Sequence, residues 1–366
     1  MTHPFTKVIE DVLYRFFAED AAMILKNSEL LKYLNKKTRS VNKGSKSRSS
    51  FANIYAIYVL VEDYVKGGFH KKDDYNKYDG AIFSDLLKRK RELPFGEKMQ
   101  NHALNNRLND EFRKYFPMCE QVPIIRDLKT KRYWINEHLL IISIGNKKLN
   151  ISEVVMDIID QYIEAKTTAF NEFLSTCVQL KSFNSKSNHR IKKFIISLLK
   201  PNIDARIFEI VTFSILKHHY SNIPIYIGFT MDSIEEEKLH LFKTGRTNAN
   251  DGGIDFVMKP IGRFFQVTES YDLKKYFLDI DKIQKFPITF VIKSDLSVED
   301  IKSKIEKGAR EQYLVDSIID KYLKAVEEII NLERLVKITN ELSQDKLKQT
   351  LEEIITQSKV EFNLSN

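Results

Sequence analysis

Hydrophobic and polar positions recur along this chain with two different periods, and the changes of period divide it. From about residue 5 to 120 apolar residues return at helix spacing, as in Val8, Ile9, Val12, Leu13, Phe16 and Phe17. Phe51 to Val61 is apolar enough for a buried helix. Residues 121 to 150 read as strand-rich or mixed, through Pro123-Ile124-Ile125-Arg126 and Leu139 to Ile144, and helical spacing resumes at 151 and carries to 198. The polar, basic stretch 182–193 predicts a linker. Between 200 and 300 the two periods alternate. Asp204 to His219 predicts an amphipathic helix, and Ile254–Met258 with Arg263–Glu269 predicts a hairpin around Lys259-Pro260-Ile261-Gly262. Leu273 to Ile283 predicts a helix and Ile288 to Ile292 a buried strand. After residue 308 the spacing is helical nearly to the end. There Ile318, Tyr322, Val326, Ile329, Ile330, Leu332, Val336 and Ile338 make a broad apolar stripe, suited to packing on its own domain or to a dimer. The expected fold is mixed α+β: a helical part over 1–195, an α/β core over 200–300, and C-terminal helices over 305–366 for packing or dimerisation.

Composition narrows the class. With 366 residues the chain has room for two domains, and an apolar fraction of 43% supports a packed core. No run is long and apolar enough for a membrane helix, and Met1-Thr2-His3-Pro4-Phe5 lacks the pattern of a secretion signal. Cys119 and Cys177 are the only cysteines, which excludes a disulfide framework and a Cys-based zinc site and makes a reducing cytoplasm the expected home. A net charge of +8 favours nucleic acid or an anionic membrane face as partner.

The candidate chemistry lies in the hairpin. Gly252-Gly253-Ile254-Asp255-Phe256-Val257-Met258 delivers a carboxylate between apolar neighbours, a costly placement unless it is paired or metal-bound. Strand alternation puts Asp255, Val257 and Lys259 on one face, and on the next strand it separates Gln266 and Thr268 from Val267 and Glu269. Upstream, Phe208-Glu209 stands at the edge of the apolar face of the 204–219 helix, where a solvated glutamate is the plain alternative. Asp251 is either another acidic ligand or a turn-forming residue.

The order Phe-Glu, then Gly-Gly-x-Asp, then Gln-x-Thr resembles the Mrr-like branch of the PD-(D/E)XK nucleases over residues 204–293. The resemblance implies a nuclease core and Mg²⁺-dependent phosphodiester hydrolysis. Asp255, Glu209 and Gln266 would hold the metal, Gln266 through its side chain or the adjacent backbone carbonyl, and Thr268 would position water. The family has Lys where this chain has Thr268. Thr268 with a water or second metal, a lysine from elsewhere (Lys259 first, Lys243 second), or a non-cleaving relative all remain open.

Other segments fit a DNA reader. Met99 to Arg113 carries Asn101, Asn105, Asn106 and Arg107, side chains that read base edges, and asparagine is otherwise a poor helix former. Arg39, Lys43, Lys46 and Arg48 in a basic loop, and Arg246, Asn248 and Asn250 before the Gly-Gly turn, suit contacts to phosphates. Lys88-Arg89-Lys90-Arg91 reads as a solvated face. There is no Gly-x-x-x-x-Gly-Lys loop, so no ATP-driven motor is expected. Together these readings imply a type II restriction endonuclease: a homodimer cutting double-stranded DNA at a short palindromic site, with a cognate DNA methyltransferase encoded nearby and no membrane partner. The alternatives are a non-catalytic DNA-binding regulator or decayed nuclease, and a modification-dependent or repair nuclease.

Overall fold

The structure is a computed structural model that describes residues 2–39, 47–71, 74–97, 99–182, 188–201, 203–221, 223–245, 254–269, 273–283, 286–313 and 315–362. Its contacts divide the chain into two units, Met1–Phe173 and Leu174–Asn366. The sequence placed the divide near 195–200, whereas the contacts place it inside one continuous helix, Ser152–Ser182.

The first unit is built from α1 (Pro4–Phe17), α2 (Ala21–Asn27), α3 (Glu29–Thr38), α4 (Ser47–Lys66), β1 (Ala81–Ile82), α5 (Phe83–Glu92), α6 (Leu108–Tyr115), β2 (Ile124–Asp127), β3 (Arg132–Ile135), β4 (Ile141–Ile144), β5 (Lys147–Asn150) and the start of α7 (Ser152–Ser182). Strands β1, β3 and β2 pair antiparallel, and β4 and β5 form a hairpin. The run from Phe51 to Val61 is the buried centre of α4, packed on both sides, so its apolar positions need no helical gaps. The donor side of its one buried amide, Asn53, is satisfied: Nδ2 donates to Tyr33 Oη at 2.9 Å and to Glu111 Oε2 at 2.6 Å, and Lys37 Nζ meets Glu111 Oε1 at 2.7 Å, while Asn53 Oδ1 is buried without a partner. The Lys88–Arg91 run is not a uniformly solvated face. Leu86 and Lys90, one turn apart on α5, both point inward. Lys90 is fully buried, and its ammonium donates to the Gln100 carbonyl at 3.0 Å. Burial pushes its pKa down to about 8, with Arg91 and Arg107 adding to the shift. Arg89 forks onto Glu62 at 2.8 and 2.9 Å.

The second unit continues from the end of α7 with α8 (Asn188–Ser197), α9 (Ala205–Tyr220), β6 (Pro224–Ile227), β7 (Glu235–Lys238), β8 (His240–Lys243), β9 (Phe256–Lys259), β10 (Arg263–Thr268), α10 (Leu273–Lys282), β11 (Ile288–Ile292), α11 (Val298–Gln312), α12 (Asp316–Ala325), β12 (Val326–Ile330), α13 (Leu332–Glu341) and α14 (Gln344–Phe362). The sheet runs β12-β11-β10-β9-β8. Its β8–β9–β10 part is an antiparallel meander, while β10, β11 and β12 are parallel and joined through helices, as parallel neighbours require. The strand-turn-strand-helix-strand order expected over 254–292 is present as β9, β10, α10 and β11. Gly262 closes the hairpin turn at φ 69°, a left-handed conformation that glycine adopts without strain.

Helix α9 is not amphipathic: Phe208 to Leu216 are all buried. The sheet covers one side, with Phe213 against Phe256 at 5.2 Å and Tyr220 against Phe265 at 6.2 Å between ring centroids. The C-terminal helices cover the other, where Lys217 reaches Glu353 at 2.8 Å and Arg206 lies 4.4 Å over the Phe362 ring. The helices of 305–366 thus belong to the same unit as the core of 200–300. The apolar stripe after residue 308 is not one helix either. Val326–Ile330 is a strand parallel to β11, with Ile329 opposite Phe290 and Ile330 opposite Val291. Its β-branched residues favour that pleated, buried position. On the far face of the sheet Phe264, Phe290 and Ile292 pack under α10, and Tyr276 meets Phe290 at 4.8 Å. Among the described residues no helix is long and apolar enough to cross a membrane.

Candidate active site

The ends of β8, β10 and β11 and the start of β9 meet along one edge of this sheet. In open sheets with parallel strands, ligands are taken in the crevice outside the carboxyl ends of the strands. Lys243, Asp255, Gln266, Thr268 and Lys293 all lie at that edge.

Asp255 stands immediately before β9. Its N–H donates to the Phe265 carbonyl at 2.9 Å, although Phe265 is already in register with Phe256. Two residues thus face one, as in a β-bulge, a device that re-aims a side chain. The Asp255 carboxylate accepts the Val267 N–H at 2.6 Å, taking the place of a backbone acceptor where the ladder ends. Its own carbonyl accepts the Thr244 N–H at 3.0 Å, which joins it to the end of β8. Strict alternation therefore does not carry from Val257 to Asp255, and the expected shared face of Asp255, Val257 and Lys259 is broken at the first residue.

Gln266 and Thr268 are buried and alternate with Phe265 and Val267, which puts them on the α10 face beside Phe264. Gln266 is 5% exposed, its Oε1 is buried without a hydrogen-bond partner, and its Nε2 reaches only the Val267 carbonyl, at 3.4 Å. A buried acceptor left this way costs about 1–3 kcal/mol. The Thr268 carbonyl accepts the Lys293 N–H at 2.9 Å. Glu209 reaches the edge from α9, on the opposite face, and pairs with Lys243 at 3.0 Å with both side chains mostly buried. Lys259 is not brought to this edge. It is exposed, opposite His240 at the turn end of β9, with its ammonium 5.4 Å over the Phe242 ring. Four residues of strand separate it from Asp255, about 13 Å. The second-choice lysine, Lys243, is the one that the register delivers.

Sequence reasoning missed Lys293. Its side chain is 3% exposed, pairs with Glu269 at 2.5 Å, donates to the Ile203 carbonyl at 2.6 Å and lies 5.1 Å over the Phe208 ring. The signal was present: Glu269 follows Gln-x-Thr directly and Lys293 follows the apolar run Ile288–Ile292 directly, so two parallel neighbours end in opposite charges.

Among the described residues no group of three or more His, Cys, Asp or Glu side chains converges as a metal cage. The donor chemistry at the edge nevertheless fits a hard divalent cation that keeps most of its water. The Asp255 carboxylate and the Val267 carbonyl, which a strand turns to the same side as its own N–H, are oxygen donors on the β9 side of β10, and the orphaned Gln266 Oε1 is a further one, buried on the α10 face. Glu209 is engaged by Lys243 and stands outside that set.

The expected reading residues divide by role. Ala103–Arg107 forms a π-helical turn that runs into α6. Asn101 is half-buried, Asn105 accepts from Tyr133 Oη at 3.4 Å, Asn106 accepts from the Arg126 guanidinium, and Arg107 is exposed. The neighbouring Asn109 is structural: it holds both polar groups of Ile124, at 2.8 and 3.0 Å. Part of the asparagine density therefore serves the fold. Arg39 is exposed at the end of α3. Lys43, Lys46, Arg246, Asn248, Asn250, Asp251 and the Gly252-Gly253 pair lie outside the described residues, as does the side chain of Arg48. Comparison of the chain with family models, characterised proteins and solved structures finds no match.

Proposed function

We propose that the chain is a metal-dependent, sequence-specific endonuclease for double-stranded DNA, of the type II restriction kind, with its reaction centre at the Asp255 edge of the sheet. The observation that carries this reading is a carboxylate fixed by the Val267 N–H, one residue along β10 from a buried amide oxygen that nothing in the fold satisfies. A bound Mg²⁺ would neutralise charge developing on a phosphate and lower the pKa of a water. Asp255, Gln266 and the Val267 carbonyl would hold it. Lys243 fixes Glu209 and places an ammonium on the strand next to Asp255, which makes it the best-placed donor for a role that Thr268 cannot fill. Thr268 would position water on the Gln266 face. The basic surplus of the chain steers it to DNA.

One observation favours a second reading. The closed Glu209–Lys243 pair, with Thr268 in place of lysine, suits a non-cleaving relative that only binds DNA. Incubation of the purified protein with unmethylated and with methylated phage DNA, in Mg²⁺ and in EDTA, separates the readings on a gel. Discrete Mg²⁺-dependent fragments from unmethylated DNA support the restriction enzyme. Fragments from methylated DNA alone make it modification-dependent. Intact DNA that still shifts in a binding gel leaves the non-catalytic regulator.

A further inference from the structure

A groove of ≈ 470 Å³ in the first unit lies between α3 and the end of α6, with Lys32, Lys36 and Arg39 along one side and Tyr115 and Phe116 on the other. The three cations are spaced four and three residues apart, so they form one stripe on α3. Over seven residues a helix rises about 10 Å, so the three cations form a row of that length. Helix α3 sorts its basic residues: Lys37 turns inward and is neutralised by Glu111 at 2.7 Å, while the stripe faces the groove. Among the described residues no carboxylate lines the groove, and Lys32 has Glu29 at 3.7 Å. The Lys36 ammonium sits 4.4 Å over the Tyr115 ring and 5.6 Å from the Phe116 ring centroid. A row of cations beside aromatic rings is what a single nucleic-acid strand requires, whereas a duplex keeps its bases stacked and offers such rings nothing.

We infer that this groove binds a DNA strand carrying an unpaired nucleotide, with phosphates along Lys32, Lys36 and Arg39 and the base on Tyr115. The base takes the ring from Lys36, because stacking of a base is worth more than an exposed cation–π contact, and Lys36 turns to phosphate. The inference goes beyond the proposed function: it adds, in the first unit, a site for an unpaired nucleotide that stands whether or not the chain cuts duplex DNA.

The test is fluorescence anisotropy of the full chain in EDTA, where no cutting occurs. The probes are a short thymidine oligonucleotide, a blunt duplex, and that duplex with one extra unpaired nucleotide. The strand and the interrupted duplex are expected to bind about tenfold tighter than the blunt duplex. Lys36→Ala with Arg39→Ala is expected to lower the log–log salt slope for the single strand by about 1.4. Tyr115→Ala is expected to abolish the preference with the salt slope unchanged, and Tyr115→Phe to keep it. Equal binding of all three probes, or a preference that survives Tyr115→Ala in a variant that melts like the parent, overturns the groove. Preferential binding by a chain that never cuts DNA in Mg²⁺ supports the groove while removing the nuclease reading, so the two failures are distinct.

Discussion

Two clusters of charge sit at opposite ends of β10, and the fold satisfies them to different degrees. At the turn end, the Arg263 guanidinium donates to the Thr289 hydroxyl at 3.0 and 2.8 Å, to Glu327 at 3.2 Å and to Glu328, tying β10 to β11 and β12. Every group there has its partner within the chain. At the carboxyl end, Asp255 is held by a backbone N–H and Glu209 by Lys243, yet the oxygen of Gln266, next to Val267 on β10, is buried with no donor. The turn-end cluster is closed and does structural work. The carboxyl-end cluster carries an unmet acceptor, which a donor or cation from outside the chain would satisfy.

The comparison can be broken by substitution, starting with the largest effect. Asp255→Asn is expected to lower Mg²⁺-dependent cleavage by about 10²–10³-fold, read as single-turnover rate, because it removes the charge and leaves the shape. Arg263→Met is expected to leave that rate unchanged and to lower stability by about 2–3 kcal/mol in urea denaturation, since its carboxylate partners are a third exposed and recover part of their hydration. If Arg263→Met abolished cleavage without destabilising, the division of roles would be wrong. Lys90 supplies an intermediate case, a buried ammonium with a carbonyl as acceptor. Its folded pKa, about 8, lies below the ordinary 10.5, so the unfolded chain binds more protons between those values. Stability of the first unit therefore rises with pH across that window, and Lys90→Met is expected to flatten the slope and add about 1–3 kcal/mol at neutral pH. The smallest effect is expected for Gln266→Leu. It removes the orphan oxygen from an apolar face and is expected to raise thermal stability by about 1 kcal/mol while slowing cleavage. A loss of stability would mean that the amide already has a structural role.

The same contrast explains what the sequence made legible. The β9–β10 hairpin, α10 and β11 were readable because their period, length and turn residues agree. The β12 strand was not, since Val326-Glu-Glu-Ile-Ile can be threaded onto helix spacing with its neighbours and only pairing with the edge of β11 decides otherwise. Asp255 and Gln266 stood out as polar residues in apolar runs. Lys243 was ranked second to Lys259 because alternation was carried through Asp255, where the bulge-like pairing breaks it. The burial of Lys90 and the structural use of Asn109 depend on contacts far along the chain, with Gln100 and Ile124, that no local pattern encodes.

The most direct test of the central claim is a side-by-side measurement of wild type, Asp255→Asn and Arg263→Met. Each is scored for DNA binding in EDTA and for cleavage of the same DNA in Mg²⁺. The account predicts equal binding by all three, Mg²⁺-dependent cleavage by wild type and Arg263→Met, and its loss in Asp255→Asn alone. Cleavage by Asp255→Asn at the wild-type rate would contradict a reaction centre at the carboxyl end of β10.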